Sequence, residues 1–156
     1  MDLFLIRHAI AEERRADLPD AQRALTERGR ERFAALVQSL DLARFRFDRV
    51  YHSPWLRAVQ TAELLAPIHD GSLIPTNDLA QPPRPEFFAS LEGERVACVG
   101  HEPWMSDAVA LLTLGNPDGS WLRFKKGAVA WLRGSPAPAS MELRALVPPR
   151  GQATAV

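Results

Sequence analysis

The sequence predicts an α/β protein in which helices cover both faces of a central sheet. Three observations support this prediction. Short apolar runs, typical of buried strands, alternate with segments of helical periodicity over the first two thirds of the chain. The chain has 156 residues, of which 46% are hydrophobic and 24% charged, and this suits one compact core. We find no internal repeat and expect a single domain over residues 1–150, followed by a short tail at residues 151–156.

The composition argues against several functional classes. Lys+Arg and Asp+Glu both total 19, so no basic excess indicates nucleic acid or an anionic membrane as a partner. No apolar run approaches the length of a transmembrane helix, and Arg7 and His8 interrupt the first apolar run too early for a secretory signal. A single cysteine, Cys98, allows no internal disulfide and no metal-ligand cluster. We therefore expect a cytoplasmic protein, with a monomer as the default state.

The first predicted elements are a strand and a helix joined by a long loop. Residues 3–6 are apolar on both faces, as in a buried parallel strand. Residues 11–23 are polar and irregular, which predicts a loop. Thr26 is a predicted N-cap, and apolar residues recur at helical spacing from Phe33 onwards. We therefore expect a helix from Glu27 to about Leu40.

A second strand and a second helix follow. The strand is predicted over residues 47–52. Ser53 is expected to cap a helix with Pro54 at its first position, and Pro67 is expected to end it.

The remaining elements complete the sheet. Residues 95–99 form a third strong apolar run, and Pro103 or Trp104 is expected to begin a helix that extends to Leu114. The weaker predictions are a short strand at 72–75, a proline-rich loop at 77–85, one or two helical turns at 86–91, strands at 121–124, 128–133 and 141–146, and a hairpin-like loop at 134–140.

The three strong strands all end in polar residues that suit an anion. The first ends at Arg7-His8, the second at His52 one helical turn before Arg57, and the third at Gly100-His101. Ligands of open α/β sheets bind outside the carboxyl ends of the strands. If the strands are parallel neighbours, two arginines and two histidines converge in one cleft. Such a cleft fits a small, highly charged anion such as phosphate.

Four sequence blocks carry a resemblance to a known family. They read "LFLIRHA", "RALTERG", "VYHSPWLRAVQTAELLA" and "ACVGHEPWM", and they occur in this order between Leu3 and about Met105. Together they resemble the histidine phosphatase superfamily, and most closely its small SixA-type phosphohistidine phosphatase branch. The resemblance implies a three-layer α/β/α sandwich with a mostly parallel central sheet, like that of phosphoglycerate mutase.

The resemblance also implies roles for the clustered residues. His8 would be the nucleophile and would carry the phosphoryl group as a phosphohistidine. Arg7 and Arg57 would bind the phosphate oxygens, His101 would donate a further hydrogen bond, and Ser53 would line the pocket. Neither a metal nor another cofactor is expected, because the arginines supply the positive charge. Ala9 stands where the family more often has glycine.

A dedicated general acid is harder to identify. Family members that hydrolyse alkyl phosphates use a carboxylic acid to protonate the leaving group. In the corresponding region of this chain Asp78 is the nearest candidate and Glu86 the next, but neither lies in a mutase-like acid motif. Because imidazole leaves more easily than an alkoxide, we expect the substrate to be phosphohistidine on a partner protein. The alternatives are a small-molecule phosphomonoesterase that uses Asp78 or Glu86 as its acid, and a non-catalytic phosphate-binding module.

Some of these residues also have structural interpretations. Arg57 could pair with a carboxylate on the surface, and Ser53 could serve only as a helix cap. His52 could form only local hydrogen bonds, and Lys125-Lys126 is typical of a solvated turn.

Overall fold

The computed structural model describes residues 1–149, which form a six-stranded sheet with helices on both faces. The predicted tail at residues 151–156 lies outside the described residues. The strands are β1 (Asp2–Arg7), β2 (Arg49–His52), β3 (Leu73–Pro75), β4 (Arg95–Gly100), β5 (Val129–Gly134) and β6 (Met141–Val147). The helices are α1 (Glu27–Ser39), α2 (Leu42–Phe45), α3 (Leu56–Glu63), α4 (Pro85–Ala89) and α5 (Trp104–Leu114).

The sheet is parallel except at one side. The strand order is β3-β2-β4-β1-β5-β6, and the first four strands of this order run parallel. β5 pairs antiparallel with both β1 and β6. The predicted three-layer sandwich with a mostly parallel sheet is confirmed. Among residues 1–149, no helix is both long and apolar enough to cross a membrane.

β1 contributes to both hydrophobic layers because it is buried on both faces. Phe4 and Ile6 pack on one side with residues of α1 and α3. Leu3 and Leu5 point to the other side, where they pack with residues of α4 and α5. Successive side chains of a strand point to opposite faces, so one apolar run supplies two cores. Each of these four side chains is fully buried, which contributes roughly 1.5–3 kcal/mol per side chain.

Two predicted elements differ from the structure. α3 begins at Leu56 rather than Pro54, because the Ser53 hydroxyl accepts the N–H of Trp55 at 3.2 Å and forms a turn before the helix. The helix ends at Glu63 rather than at Pro67, which lies in a separate 3-10 helix, Ala66–Ile68. The strand predicted at residues 121–124 was wrong. This segment is irregular, and Phe124 turns its backbone carbonyl towards Arg7.

The register of the three central strands positions the site. Arg7 lies opposite Gly100 in the β1–β4 pair, and His52 lies opposite Val99 in the β2–β4 pair. The pairing continues beyond the strands, since His8 N–H donates to Gly100 O at 3.0 Å. The carboxyl ends of β1, β2 and β4 therefore meet at one edge of the sheet.

Candidate active site

The structure brings Arg7, His8, Arg57 and His101 to one cleft at this edge. The cleft has a volume of about 500 Å³, and all four side chains line it. The His8 and His101 rings lie 5.2 Å apart between their centroids. His8, Arg57 and His101 are buried, so their positions are determined by packing rather than by solvent. The residues that were expected to converge at the strand ends do so.

His8 has one ring nitrogen available to react. Its Nδ1 lies 2.7 Å from the backbone oxygen of Ala9, and a carbonyl oxygen can only accept, so Nδ1 carries the hydrogen. Nε2 then holds a lone pair, and Arg57 Nε donates to it at 3.3 Å. Burial, with the positive charges of Arg57 and Arg7, lowers the pKa of His8 to about 3. The ring is therefore neutral at physiological pH, as a nucleophile must be.

Arg57 is oriented by Asp20, a residue of the loop before α1. Arg57 Nη1 donates to the backbone oxygen of Asp20 at 2.7 Å, and Nη2 donates to its carboxylate at 3.1 Å. Partial burial alone would raise the pKa of Asp20, but hydrogen bonds from Arg23 and Arg57 and their charges lower it overall. The carboxylate thus remains charged and holds the guanidinium in place. The Arg57 guanidinium also stacks over the ring of Trp55, at 4.8 Å from the ring centroid.

His101 is held from behind by Ser53. The two side chains share a hydrogen bond of 2.7 Å between His101 Nε2 and Ser53 Oγ. Ser53 is fully buried and lies behind His101 rather than on the cleft wall, so the structure does not bring it to the predicted phosphate-lining position. Burial, with the nearby His8 and Arg57, lowers the pKa of His101 to about 3. A bound dianion would favour the protonated ring and so raise that pKa.

Arg7 reaches the cleft from the end of β1. Its Nη1 donates to the backbone oxygen of Phe124 at 2.8 Å, while its Nε is buried and has no hydrogen-bond partner among the described residues. Unsatisfied buried donors are uncommon in folded proteins, and an oxygen of a bound anion is one partner that would satisfy this donor.

The segment that carries the nucleophile is tied to α3 by Thr61. The Thr61 hydroxyl accepts the N–H of Ala9 at 3.1 Å and donates to the carbonyl of Arg57 at 2.7 Å. The neighbouring Gln60 accepts the N–H of Leu25 at 2.7 Å. The pair Gln60-Thr61 thus fastens both the His8 segment and the loop before α1 to the helix that bears Arg57.

Neither predicted general acid lines the cleft. Asp78 accepts hydrogen bonds from Arg84 and Gln81, and Glu86 is exposed on α4. The carboxylate beside His101 in the cleft is Glu102. Both of its oxygens accept hydrogen bonds from Ser106, from the backbone N–H at 2.8 Å and from the hydroxyl at 2.6 Å.

Sequence reasoning missed two residues that orient the site, Asp20 and Thr61. Asp20 lies in an irregular loop, where no periodicity indicates which side chain turns inward. Thr61 lies in a block that carried the family resemblance, and a threonine one helical turn after Arg57 was an available signal.

Comparisons with known proteins bear on the family and the fold of the chain. The family model of the histidine phosphatase superfamily (branch 1) matches residues 3–81. An uncharacterized protein of Picosynechococcus sp. is 31% identical over 150 residues, covering 88% of this chain and 87% of that protein.

Similar solved structures share the fold at lower identity. They include SixA of Agrobacterium tumefaciens (TM-score 0.75, 23% identity, covering 95% of this chain and 97% of that chain). The protein histidine phosphatase SixA complexed with tungstate has a TM-score of 0.74 at 23% identity and covers 94% and 96% of the two chains. The α-ribazole phosphatase of Shigella flexneri has a TM-score of 0.74 at 20% identity and covers 95% and 96%. The chain therefore has the phosphoglycerate mutase-like fold of SixA proteins.

Proposed function

Since this chain belongs to the histidine phosphatase superfamily (branch 1), we propose that it hydrolyses phosphohistidine on a partner protein through a covalent phospho-His8 intermediate. The observation that carries the proposal is the state of His8. Its Nδ1 donates to Ala9 O, so the lone pair of Nε2 is directed into a cleft lined by Arg7, Arg57 and His101. That arrangement suits attack on phosphorus rather than phosphate binding alone.

The proposed reaction has two steps. His8 Nε2 attacks the phosphorus of the substrate, the Nε2–P bond forms, and the P–N bond to the substrate imidazole breaks. When the other nitrogen of that imidazole carries a proton, the ring leaves as a neutral molecule and needs no acid. Water then attacks the phosphorus of phospho-His8, the Nε2–P bond breaks, and inorganic phosphate and free His8 result. Arg7 and Arg57 stabilise the charge on the phosphoryl oxygens in both steps, which needs no metal ion.

The position of the carboxylates supports phosphohistidine over an alkyl phosphate. An alkoxide needs a positioned proton donor, but Asp78 and Glu86 lie outside the cleft lining. Of the carboxylates that do line the cleft, Glu102 is engaged by Ser106, Asp20 is engaged by Arg57 and Arg23, and Glu12 and Glu13 are exposed. The similar structure complexed with tungstate is named a protein histidine phosphatase, which supports an oxyanion ligand and a protein substrate. The relative named an α-ribazole phosphatase instead acts on a small molecule, so the test must include such a substrate.

The proposal is tested by trapping the phosphoenzyme. Wild type, His8→Ala and His69→Ala are mixed with a radiolabelled phosphohistidine protein and quenched within milliseconds to seconds. His69 is the matched control, because it is also buried but its Nδ1 contacts Phe47 O, outside the cleft. We expect label that survives alkali and is lost in acid on wild type and His69→Ala, and none on His8→Ala.

Three outcomes would overturn the proposal. Rapid release of phosphate by His8→Ala would refute a phospho-His8 intermediate. Neither label nor phosphate release from wild type, with binding of phosphate intact, would leave a non-catalytic phosphate-binding module. Faster labelling from an alkyl phosphate than from phosphohistidine would instead favour a small-molecule phosphomonoesterase.

A further inference from the structure

A second cavity adjoins the cleft on the other side of Arg7. Its volume is about 370 Å³, and it lies between the segment after β1, α1 and the segment before β5. Its cationic lining consists of Arg7, Arg32, Arg123, Lys125 and Lys126. Arg7 and Lys126 line the cleft as well, so these two residues border both spaces. We refer to this second space as the basic cavity.

All the charged side chains of residues 1–149 that line the basic cavity are positive. The whole chain carries no net charge, yet among residues 1–149 no aspartate or glutamate lines this cavity. Both lysines of the chain, Lys125 and Lys126, are in it. Within the described part of the chain, Arg123, Lys125 and Lys126 form no ion pair with a carboxylate. A local excess of positive charge attracts anions even on a neutral protein.

The segment that bears these cations is fastened to the nucleophile's backbone. Gly127 N–H donates to the carbonyls of both Arg7 and His8, at 3.1 and 3.0 Å. Gly127 has a φ of +75°, and a Cβ there would lie 3.0 Å from Pro149 Cγ and 3.3 Å from Phe33. Glycine therefore suits this turn, because the backbone is left-handed and a side chain would be tightly packed. The charged side chains thus project from backbone that is anchored beside the reacting atoms.

We propose that the basic cavity binds acidic side chains that flank the phosphorylated residue of the partner protein. The inference rests on the proposed function, since it names the kind of protein surface that presents the phosphohistidine. A phosphohistidine seated on His8 places its neighbouring residues at the rim of the cleft, and carboxylates there can reach across Arg7 and Lys126. Charge complementarity of this kind mainly raises the association rate and selects among partners, and it weakens with added salt.

The test compares two phosphohistidine peptides that differ only in flanking glutamates or glutamines. Lys125 and Arg123 are exposed and are not part of the proposed catalytic group, so the variant is Arg123→Glu/Lys125→Glu. Its control is Arg44→Glu/Arg49→Glu, which changes the net charge equally. Arg44 and Arg49 are also exposed, and Arg49 begins β2, at the end of the sheet opposite the cleft.

We expect wild type and the control to prefer the glutamate peptide, by roughly three- to tenfold in kcat/KM at low salt. The preference should disappear in Arg123→Glu/Lys125→Glu, whereas free phosphohistidine is hydrolysed equally by all three proteins. In parallel, fluorescence anisotropy measures binding of a labelled, unphosphorylated polyglutamate peptide, which should weaken by a similar factor in this variant alone.

The two arms separate this inference from the proposed function. If wild type hydrolyses both peptides equally and binds polyglutamate no better than the variant, the inference is wrong and the proposed function stands. If no phosphohistidine substrate is hydrolysed but polyglutamate binding still depends on Arg123 and Lys125, the proposed function fails and the acidic binding site remains. An equal loss of glutamate preference in the control variant would show that net charge alone is responsible, and would also overturn the inference.

Discussion

The hydroxyl of Thr61 provides a sharp test of how the nucleophile is held. It accepts the buried N–H of Ala9, the residue after His8, and it donates to the carbonyl of Arg57. Thr61→Val preserves the shape of the side chain and removes both hydrogen bonds. The Arg57 carbonyl lies one helical turn earlier and stays within α3, whereas the Ala9 N–H loses its hydrogen-bond acceptor.

The expected cost follows from that unpaired donor. Ala9 is 2% exposed and Thr61 is fully buried, so water cannot easily replace the hydroxyl. A buried N–H left without a partner costs about 1–3 kcal/mol. For a chain of this size, each kcal/mol corresponds to a shift in Tm of about 2–4 °C. Because Ala9 follows His8 directly, we also expect the phosphorylation rate of His8 to fall.

Thr113→Val is the matched control. Thr113 lies on α5 and donates to Val109 O at 2.7 Å, as Thr61 does to Arg57 O, but among the described residues its hydroxyl accepts no N–H. Urea unfolding followed by tryptophan fluorescence gives the free energy of unfolding of each variant. We expect Thr61→Val to be less stable than Thr113→Val by about 1–3 kcal/mol. Equal stability of the two variants, with unchanged phosphorylation of His8, would refute this account of the site.

Three further predictions concern charge in the site. Because burial lowers the pKa of His8 and His101 to about 3, the unfolded chain binds more protons than the folded one below about pH 6.5. The stabilisation from the two neutral histidines is therefore fully present above that pH and falls as pH decreases, by up to about 1.4 kcal/mol per pH unit for each histidine. His8→Gln should reduce the pH dependence of the free energy of unfolding, measured with urea between pH 6 and 5. A wild-type free energy of unfolding that is constant over this range would contradict the buried neutral state. Asp20→Asn removes the carboxylate that orients the Arg57 guanidinium, and rapid-quench measurements should show the phosphorylation rate of His8 falling roughly tenfold, while loss of the counter-charge of a buried arginine also lowers stability; an unchanged rate would mean that the backbone oxygen of Asp20 suffices. Asp78→Asn and Glu86→Gln should leave kcat/KM unchanged on phosphohistidine and on alkyl phosphates alike, since neither carboxylate lines the cleft; a selective loss on alkyl phosphates would restore the general-acid alternative.

The candidate site was largely predictable because its main residues follow regular elements. Arg7, His8 and His101 stand at the ends of two buried strands whose apolar runs are visible in the sequence. Parallel neighbours bring their carboxyl ends together, so convergence followed from the fold class alone. Arg57 was predicted to lie at the same edge because it follows the end of β2 by one helical turn. The start of α3 was predicted two residues too early, but this error did not change the edge of the sheet at which Arg57 lies.

Sequence reasoning was least specific where irregular backbone positions a side chain. Ser53 was expected to line the phosphate pocket, but the turn before α3 directs its hydroxyl to Trp55 N–H and to His101. Asp78 is close to the motifs in sequence, but it lies in the short 3-10 helix Asn77–Ala80, which Thr76 caps. Its carboxylate accepts a hydrogen bond from Arg84 outside the cleft lining. Local hydrogen bonds of this kind leave no periodic signal.

The sequence by itself determined the fold class and the four residues that meet in the cleft, because apolar periodicity specifies buried strands and strand ends specify a common edge. Only the tertiary structure decided which nitrogen of His8 carries the hydrogen and which residues hold the cleft in shape. Those contacts join residues far apart in the chain, as between His8 and Arg57, 49 positions apart, or Arg57 and Asp20, 37 positions apart. They depend on how an irregular loop and a helix end pack over the sheet, and such packing is set by the whole core rather than by any local pattern.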